Sequence, residues 1–364
     1  MALSVSLYES AKGLLKELIS TPSFSREEDQ TAGVITRFLA LQRIEHARTD
    51  NNVYAFNKYF DPAKPTILLN SHHDTVKPAK GYTLDPFTPI EKDGKLFGLG
   101  SNDAGGPLVS LIASFVHFYD RPDLKYNLIL AATAEEEISG SNGVEALLQK
   151  PFFLEKLEGK QIDAAIVGEP TLMQMAVAER GLLVIDAIAH GKAGHAARNE
   201  GINAISIALK DIEWINGYQF SKVSPLLDKV KMSVTVIETE NKAHNVVPST
   251  CRFVIDTRVN ELYSFDEILN TLTKNLQSEI QPRSTRLKST AIALEHPLVK
   301  AGIELGRSYY GSPTTSDKAL MDFPALKMGP GDSARSHTAD EFIFLTEIEE
   351  GIDLYIRLLS KLMN

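Results

Sequence analysis

The chain has 364 residues, 43% of them hydrophobic and 23% charged, an ordinary globular composition with enough length for two domains. Its 38 basic against 47 acidic residues give a net charge of -9, which opposes binding to nucleic acid or to an anionic membrane unless a local basic patch intervenes, and the sequence shows no such patch. No apolar run is long enough to cross a bilayer, and Cys251, the single cysteine, has no partner for a disulfide, which fits a reducing, cytoplasmic compartment.

The first segment, "MALSVSLYESAKGLLKELIS", places Leu14, Leu15, Leu18 and Ile19 on one face and is interrupted by Glu9, Lys12, Lys16 and Glu17. It reads as an amphipathic helix and not as a signal peptide. "SREE", Ser25 to Glu28, predicts a capping box for a second helix through about Leu41. The runs "TILLN" (66–70), "YNLILAA" (126–132) and "IDAAIVG" (162–168) suit strands buried on both faces of a parallel sheet. "PLVSLIASFVHFY", from Pro107 to Tyr119, supplies a crossover helix with proline at its first position. From about residue 180 the texture changes to "LLVIDAIAHG", "NAISIALKDIEWING", "VKMSVTVIE", "STCRFVIDTRV", "FDEILNTLTKNLQSE" and "STRLKST". This β-α-β-β-α-β order predicts an inserted two-layer α/β domain over 180–288. The flanking 1–179 and 289–364, ending in the amphipathic "EIEEGIDLYIRLLSKLM", then make one α/β domain with a mainly parallel central sheet.

Each of the early strand-like runs ends in potential ligands or acids: His72, His73 and Asp74, then Glu135, Glu136 and Glu137, then Glu169. In open α/β sheets the carboxyl ends of the strands line the binding crevice, so these groups can converge. Alternation along an extended segment sends His72 and Asp74 one way and His73 the other. Asp103 in "GLGSNDAGGP" precedes the Pro107 helix, and His337 lies in the glycine-rich "GPGDSARSHTADEF". Carboxylates mixed with imidazole and no thiolate suit zinc or cobalt better than a structural zinc–cysteine site. Two histidines and three carboxylates suffice for two ions with one aspartate bridging, which together polarise a carbonyl and acidify a water. A further carboxylate must then act as general base.

Taken singly, "HHD" is an ordinary polar turn and "EEE" an ordinary acidic surface; repetition at successive strand ends is what sets them apart. His46, His73, His117, His190, His244 and His296 read as surface or satisfied core histidines. "GLGSNDAGG" has two glycines of a dinucleotide fingerprint, but Asp103 stands in place of the third and would repel a pyrophosphate. Neither G-x-S-x-G nor H-E-x-x-H occurs, which disfavours serine hydrolases and single-zinc proteases.

"SHHDTV", "SNDAGG", "AEEE", "GEP" and "GPGDSARSHTADEF", in this order over most of the chain, resemble the dimetal amidohydrolase and metallopeptidase family that contains acetylornithine deacetylase, succinyl-diaminopimelate desuccinylase, aminoacylase and carboxypeptidase G. The segments "GKAGHAAR" and "NVVPSTCRFVIDTR" resemble that family's ferredoxin-like dimerisation domain. The resemblance implies a zinc-peptidase-like catalytic domain in which Asp103 bridges two divalent ions, Zn2+ or Co2+, with His72 and Glu169 on one and Glu137 and His337 on the other. It implies that Asp74 orients His72, that Glu136 is the general base, and that His195 steadies the oxyanion from across a homodimer interface. Arg258, with Asn245 beside it, resembles the binder of the substrate carboxylate. The chain departs from the family pattern at Ser71, at Leu99, at Glu135, and at "AGG" after Asp103. Glu135 leaves the register of the base open between itself and Glu136.

The expected activity is metal-dependent hydrolysis of the amide of a small N-acyl amino acid, with N-acetylornithine deacetylation in arginine biosynthesis as the first reading. N-acetylcitrulline, N-succinylornithine, N-succinyl-diaminopimelate and di- or tripeptides are the rival substrates. A metal-stabilised binding subunit is the rival outside enzymes, and the presence of a base beside a full ligand set argues against it.

Overall fold

The computed structural model describes residues 2–198 and 200–363. They form two compact units. One comprises the chain up to Val177 together with Ile292–Tyr310 and the residues from Ser316 on, and the other comprises Ala178–Ala291 and Gly311–Thr315.

The first unit is built on a sheet whose inner strands run in the order Asn127–Thr133, Thr66–His72, Ala164–Val167 and Ala325–Lys327, all parallel. Every residue of Thr66–His72 and Asn127–Thr133 is buried, as expected for strands covered on both faces. The register sets Leu68 opposite Ile129 on one side and Ala165 on the other, so the three ligand-bearing strand ends finish near one level. Parallel pairing of Thr66–His72 with Asn127–Thr133 requires a crossover, and the helix Gly106–Phe118 makes it, with Pro107 in its first turn. Leu108, Leu111, Ile112 and Phe115 of that helix have no exposed surface, each contributing about 1.5–3 kcal/mol by burial. The C-terminal helix Leu345–Met363 packs on it and buries a stripe that includes Ile348, Ile352, Tyr355 and Leu359. Among the described residues no helix is long and apolar enough to cross a membrane.

The expected capping box does not form. The helix starts at Asp29 with Glu28 as its N-cap and no side-chain cap hydrogen bond. Ser25 instead donates its hydroxyl to Asp74 Oδ2 at 2.7 Å, and the Glu28 carboxylate accepts the N–H groups of Arg26 and Glu135 at 2.7 and 3.2 Å. Both residues have better-placed partners in the tertiary structure than the helix end offers.

The second unit has a four-stranded antiparallel sheet in the order Lys231–Glu238, Thr250–Val259, Gly181–His190, Glu279–Pro282. Gly181–His190 buries alternate residues, and Leu183, Ile185 and Ala187 pack with Phe253, Ile255, Ala208, Ile215, Ile268 and Leu272. The helices Ala204–Gly217 and Phe265–Asn275 supply the second layer, giving the ferredoxin-like arrangement. A capping box does form here, between Ser264 and Glu267. The closing strand is Glu279–Pro282 and not "STRLKST". The helix expected through residue 279 stops at Asn275, because the Asp211 carboxylate takes the N–H groups of Gln277 and Ser278 at 3.0 and 2.8 Å and frees the next four residues to pair with Gly181–His190. A strand of four residues with one apolar member, Ile280, is too short for periodicity to reveal.

Candidate metal centre

His72 ends its strand 1% exposed, and its two ring nitrogens are in different situations. Nδ1 lies 3.0 Å from the main-chain oxygen of Asp74, which can only accept, so Nδ1 carries the proton. Burial lowers the ring's proton affinity, but Asp103, Asp74 and Glu136 outweigh that and raise His72 well above the usual histidine range; Nε2 itself is buried and without a hydrogen-bond partner. It faces carboxylates from three other segments: Asp103 Oδ1 at 3.3 Å, Glu169 Oε1 at 3.8 Å and Glu136 Oε2 at 3.9 Å. Asp103 then reaches the second histidine, with Oδ2 at 3.7 Å from His337 Nε2, and Glu137 Oε2 lies 3.0 Å from the same nitrogen. Ligand atoms of His72, Asp103 and Glu137 lie within 4.8 Å of one another, and so do those of His72, Glu136 and Glu169. All five expected ligands and the expected base thus occupy one site, with Asp103 between its two halves.

The electrostatics show what this arrangement lacks. Burial pushes Glu169 up to about 8, with the Asp103 charge adding to it and His72 opposing it. Burial likewise raises Glu136 well above the usual carboxylate range, helped by Glu169, Asp317 and Glu137. The hydrogen bond to Glu137 raises His337 to about 9. Asp103 is shifted up by burial, but the adjacent His72, 3.3 Å away, outweighs that and leaves it low. Glu136, Glu137, Glu169 and both histidines are pushed toward their protonated forms, holding protons that a divalent cation would displace, and imidazole among hard oxygen donors suits such a cation. The residues therefore fit metal.

Metal binding at this site is therefore coupled to proton release. At pH 7 Glu169 and His337 each hold a proton and His72 is raised as well, and a bound cation needs all three deprotonated, so loading apo-protein with a divalent cation releases about two protons from Glu169 and His337, with His72 adding to the release. The release shrinks as pH rises through about 8 and then 9, and affinity falls as pH drops below about 9, more steeply below about 8. Titration calorimetry in buffers of different ionisation enthalpy measures this number, and a heat independent of the buffer would contradict the assignment.

Asp74 bears on the His72 ring through both its main chain and its carboxylate. Its main-chain oxygen holds the His72 ring, while its carboxylate, 3.4 Å from Nδ1 at Oδ1, accepts the N–H groups of Glu136 and Glu137 at 3.1 and 3.2 Å. One residue therefore fixes both the imidazole and the backbone of the acidic turn. Glu135 adopts φ 57 and turns its carboxylate to Asn142, at 2.9 Å from Nδ2 and 3.3 Å from N. It faces away from His72, and Glu136 faces toward it. His73 is a satisfied core histidine, bonded to Thr31 Oγ1 and Asn51 O, and burial lowers it to about 4.

The remaining expected site residues lie in the second unit. His195 is exposed on a two-residue strand opposite Val246 of Val246–Val247, and the Asn245 carbonyl accepts the Ala196 N–H at 3.0 Å. Arg258 lies in the four-stranded sheet with its planar fork on Asp256, at 2.8 and 3.1 Å, so a substrate carboxylate would compete with that aspartate. Ser25, Glu28 and Glu341 are buried or half-buried supports that sequence reasoning did not assign. Ser25 and Glu28 carried a signal for a helix cap instead, and Glu341 only its place in "GPGDSARSHTADEF".

Comparison with known proteins gives an independent result. Succinyl-diaminopimelate desuccinylase of Cereibacter sphaeroides (strain KD131) is 28% identical over 95% of this chain and 97% of its own. The aminopeptidase PepT of Bacillus cereus superposes with a TM-score of 0.75 at 18% identity, covering 98% of each chain. A Bacillus subtilis protein described as a dinuclear metal-binding peptidase of the M20 family superposes at 0.71 with 16% identity, again over 98% of each. The profile of peptidase family M20/M25/M40 matches residues 68–361, which takes in every expected metal ligand from His72 to His337. With the strand-end ligands, the parallel sheet and this match in agreement, the chain belongs to peptidase family M20/M25/M40 and is an amidohydrolase of that family.

Proposed function

We propose that the protein hydrolyses the amide bond of a small N-acyl amino acid with two divalent ions, held by His72 and Glu169 on one side, Glu137 and His337 on the other, and Asp103 between. The observation that carries the reading is the partnerless Nε2 of buried His72 aimed at Asp103 and Glu169, with Glu136 at the edge of the same cluster. When bound, the ions polarise the scissile carbonyl and make a water acidic near neutral pH. Glu136 takes the proton of the attacking water as the carbon–oxygen bond forms, and returns it to the amine nitrogen as the carbon–nitrogen bond breaks. Its raised proton affinity suits both halves of that task. Asp74 holds Glu136 and Glu137 in place through their N–H groups. Zinc is the proposed native ion, with cobalt able to replace it.

The relatives' name puts N-succinyl-diaminopimelate first among the substrates to test, and N-acetylornithine, expected from the motifs, second. Metal-reconstituted enzyme assayed on both, on N-acetylcitrulline and N-succinylornithine, and on di- and tripeptides identifies the acyl group. A site that pairs the distal carboxylate of a succinyl group should disfavour the acetyl analogue by about 10,000-fold in kcat/KM. Turnover of peptides alone would overturn the N-acyl amino acid reading. The second unit supports a homodimer, because Lys231–Glu238 is an edge strand with Val236 and Ile237 about half exposed, an apolar edge that a solitary chain would leave open to pairing.

A further inference from the structure

We propose that Glu341 is a positioning residue that seats the Asp103 carboxylate between the two halves of the metal centre by taking up three backbone N–H groups of the loop that carries it. Its side chain is buried, 2% exposed. Oε1 accepts from Asn102 N and Asp103 N, each at 2.9 Å, and Oε2 accepts from Gly100 N at 3.2 Å. The main-chain oxygen of the same residue accepts from Gly98 N at 3.0 Å, so Glu341 engages both arms of the turn.

The chemistry favours a carboxylate here over any neutral acceptor. Successive N–H groups turned toward one point make a concave anion site, and charge-assisted bonds to it are about twice as strong as neutral ones. Burial and the Asp103 charge raise Glu341 to about 7, and the three N–H groups oppose that rise. The loop has little freedom to satisfy them differently. Gly100 sits at φ 74, where a Cβ would come 2.6 Å from Thr75 Cγ2, and Asp103 itself has φ −119 and ψ 100, outside the helix that begins at Gly106. Asp340, the preceding residue, takes the N–H groups of Thr83 and Leu84 in the same way and anchors the segment. His337 belongs to that segment as well. One stretch near the C-terminus therefore carries a ligand for one half of the centre and sets the register of the aspartate shared by both.

The inference rests on the reading that Asp103 holds metal, and the test separates the two. Wild type, Glu341→Ala, Glu341→Gln and Asp103→Asn are stripped, checked for fold and melting temperature as apo-proteins, and titrated with Co2+ against a chromophoric chelator while the visible cobalt spectrum is recorded. Glu341→Ala should weaken binding of the two-ion state by about 10- to 100-fold and alter the cobalt bands. Glu341→Gln, which keeps an oxygen for Asn102 and Asp103 but turns an amide toward the Gly100 N–H, should lose less. If the alanine variant does not fold, the glutamine variant decides alone by its affinity and spectrum. Wild-type affinity and spectrum in the Glu341 variants, with binding lost in Asp103→Asn, overturns this inference and leaves the metal centre standing. Wild-type binding in Asp103→Asn overturns both.

Discussion

Glu136→Gln should lower turnover by about 100- to 10,000-fold while both metal ions remain bound. The amide keeps the size of the side chain and loses its capacity to take a proton from water and give it to the amine. Its backbone N–H still reaches Asp74, so the acidic turn keeps its shape. Glu137→Gln should differ, because Glu137 lies 3.0 Å from His337 and is proposed as a ligand, so metal content falls together with activity. Glu135→Gln is the control for register: its carboxylate holds Asn142, and the change should cost stability with turnover largely retained. Metal analysis, melting temperature and kcat on the three variants separate the roles. A Glu135→Gln protein that is folded, metal-loaded and inactive would move the base by one residue.

His195→Ala should be nearly inactive, by about 100- to 1,000-fold, with normal metal content, if its imidazole is the donor to the tetrahedral oxyanion. The local structure supports a donor role. Nδ1 accepts the Ala197 N–H at 3.2 Å, which places the ring proton on Nε2, and the side chain is exposed. Arg258→Ala should instead raise KM, since a carboxylate binder contributes to ground-state as well as transition-state binding. If His195 serves the partner's centre in a homodimer, His195→Ala and Glu136→Gln subunits should complement each other. Half the dimers formed by random exchange are mixed and each has one intact site, so about a quarter of wild-type activity should return. No recovery after verified exchange would place His195 within its own chain's chemistry or outside catalysis.

The amino-acid sequence by itself determined the parallel strands Thr66–His72, Asn127–Thr133 and Ala164–Val167, because a strand covered on both faces must be apolar without alternation, and that pattern is local. It also determined where ligands could converge, since His72, Glu137 and Glu169 each follow such a run and parallel strands end on one side. Only the tertiary structure decided how the carboxylates divide their work. Glu135 and Glu136 are adjacent and chemically alike, and what separates them is a left-handed φ at Glu135 and the presence of Asn142 within hydrogen-bond reach. Ser25 and Glu28 have the spacing of a helix cap, yet they bond to Asp74 and to the N–H of Glu135. Glu341 meets Asp103 across most of the chain's length. A buried carboxylate is stable only where enough N–H or O–H donors reach it, and which donors do so depends on how distant loops come together, a property that no spacing along the chain encodes.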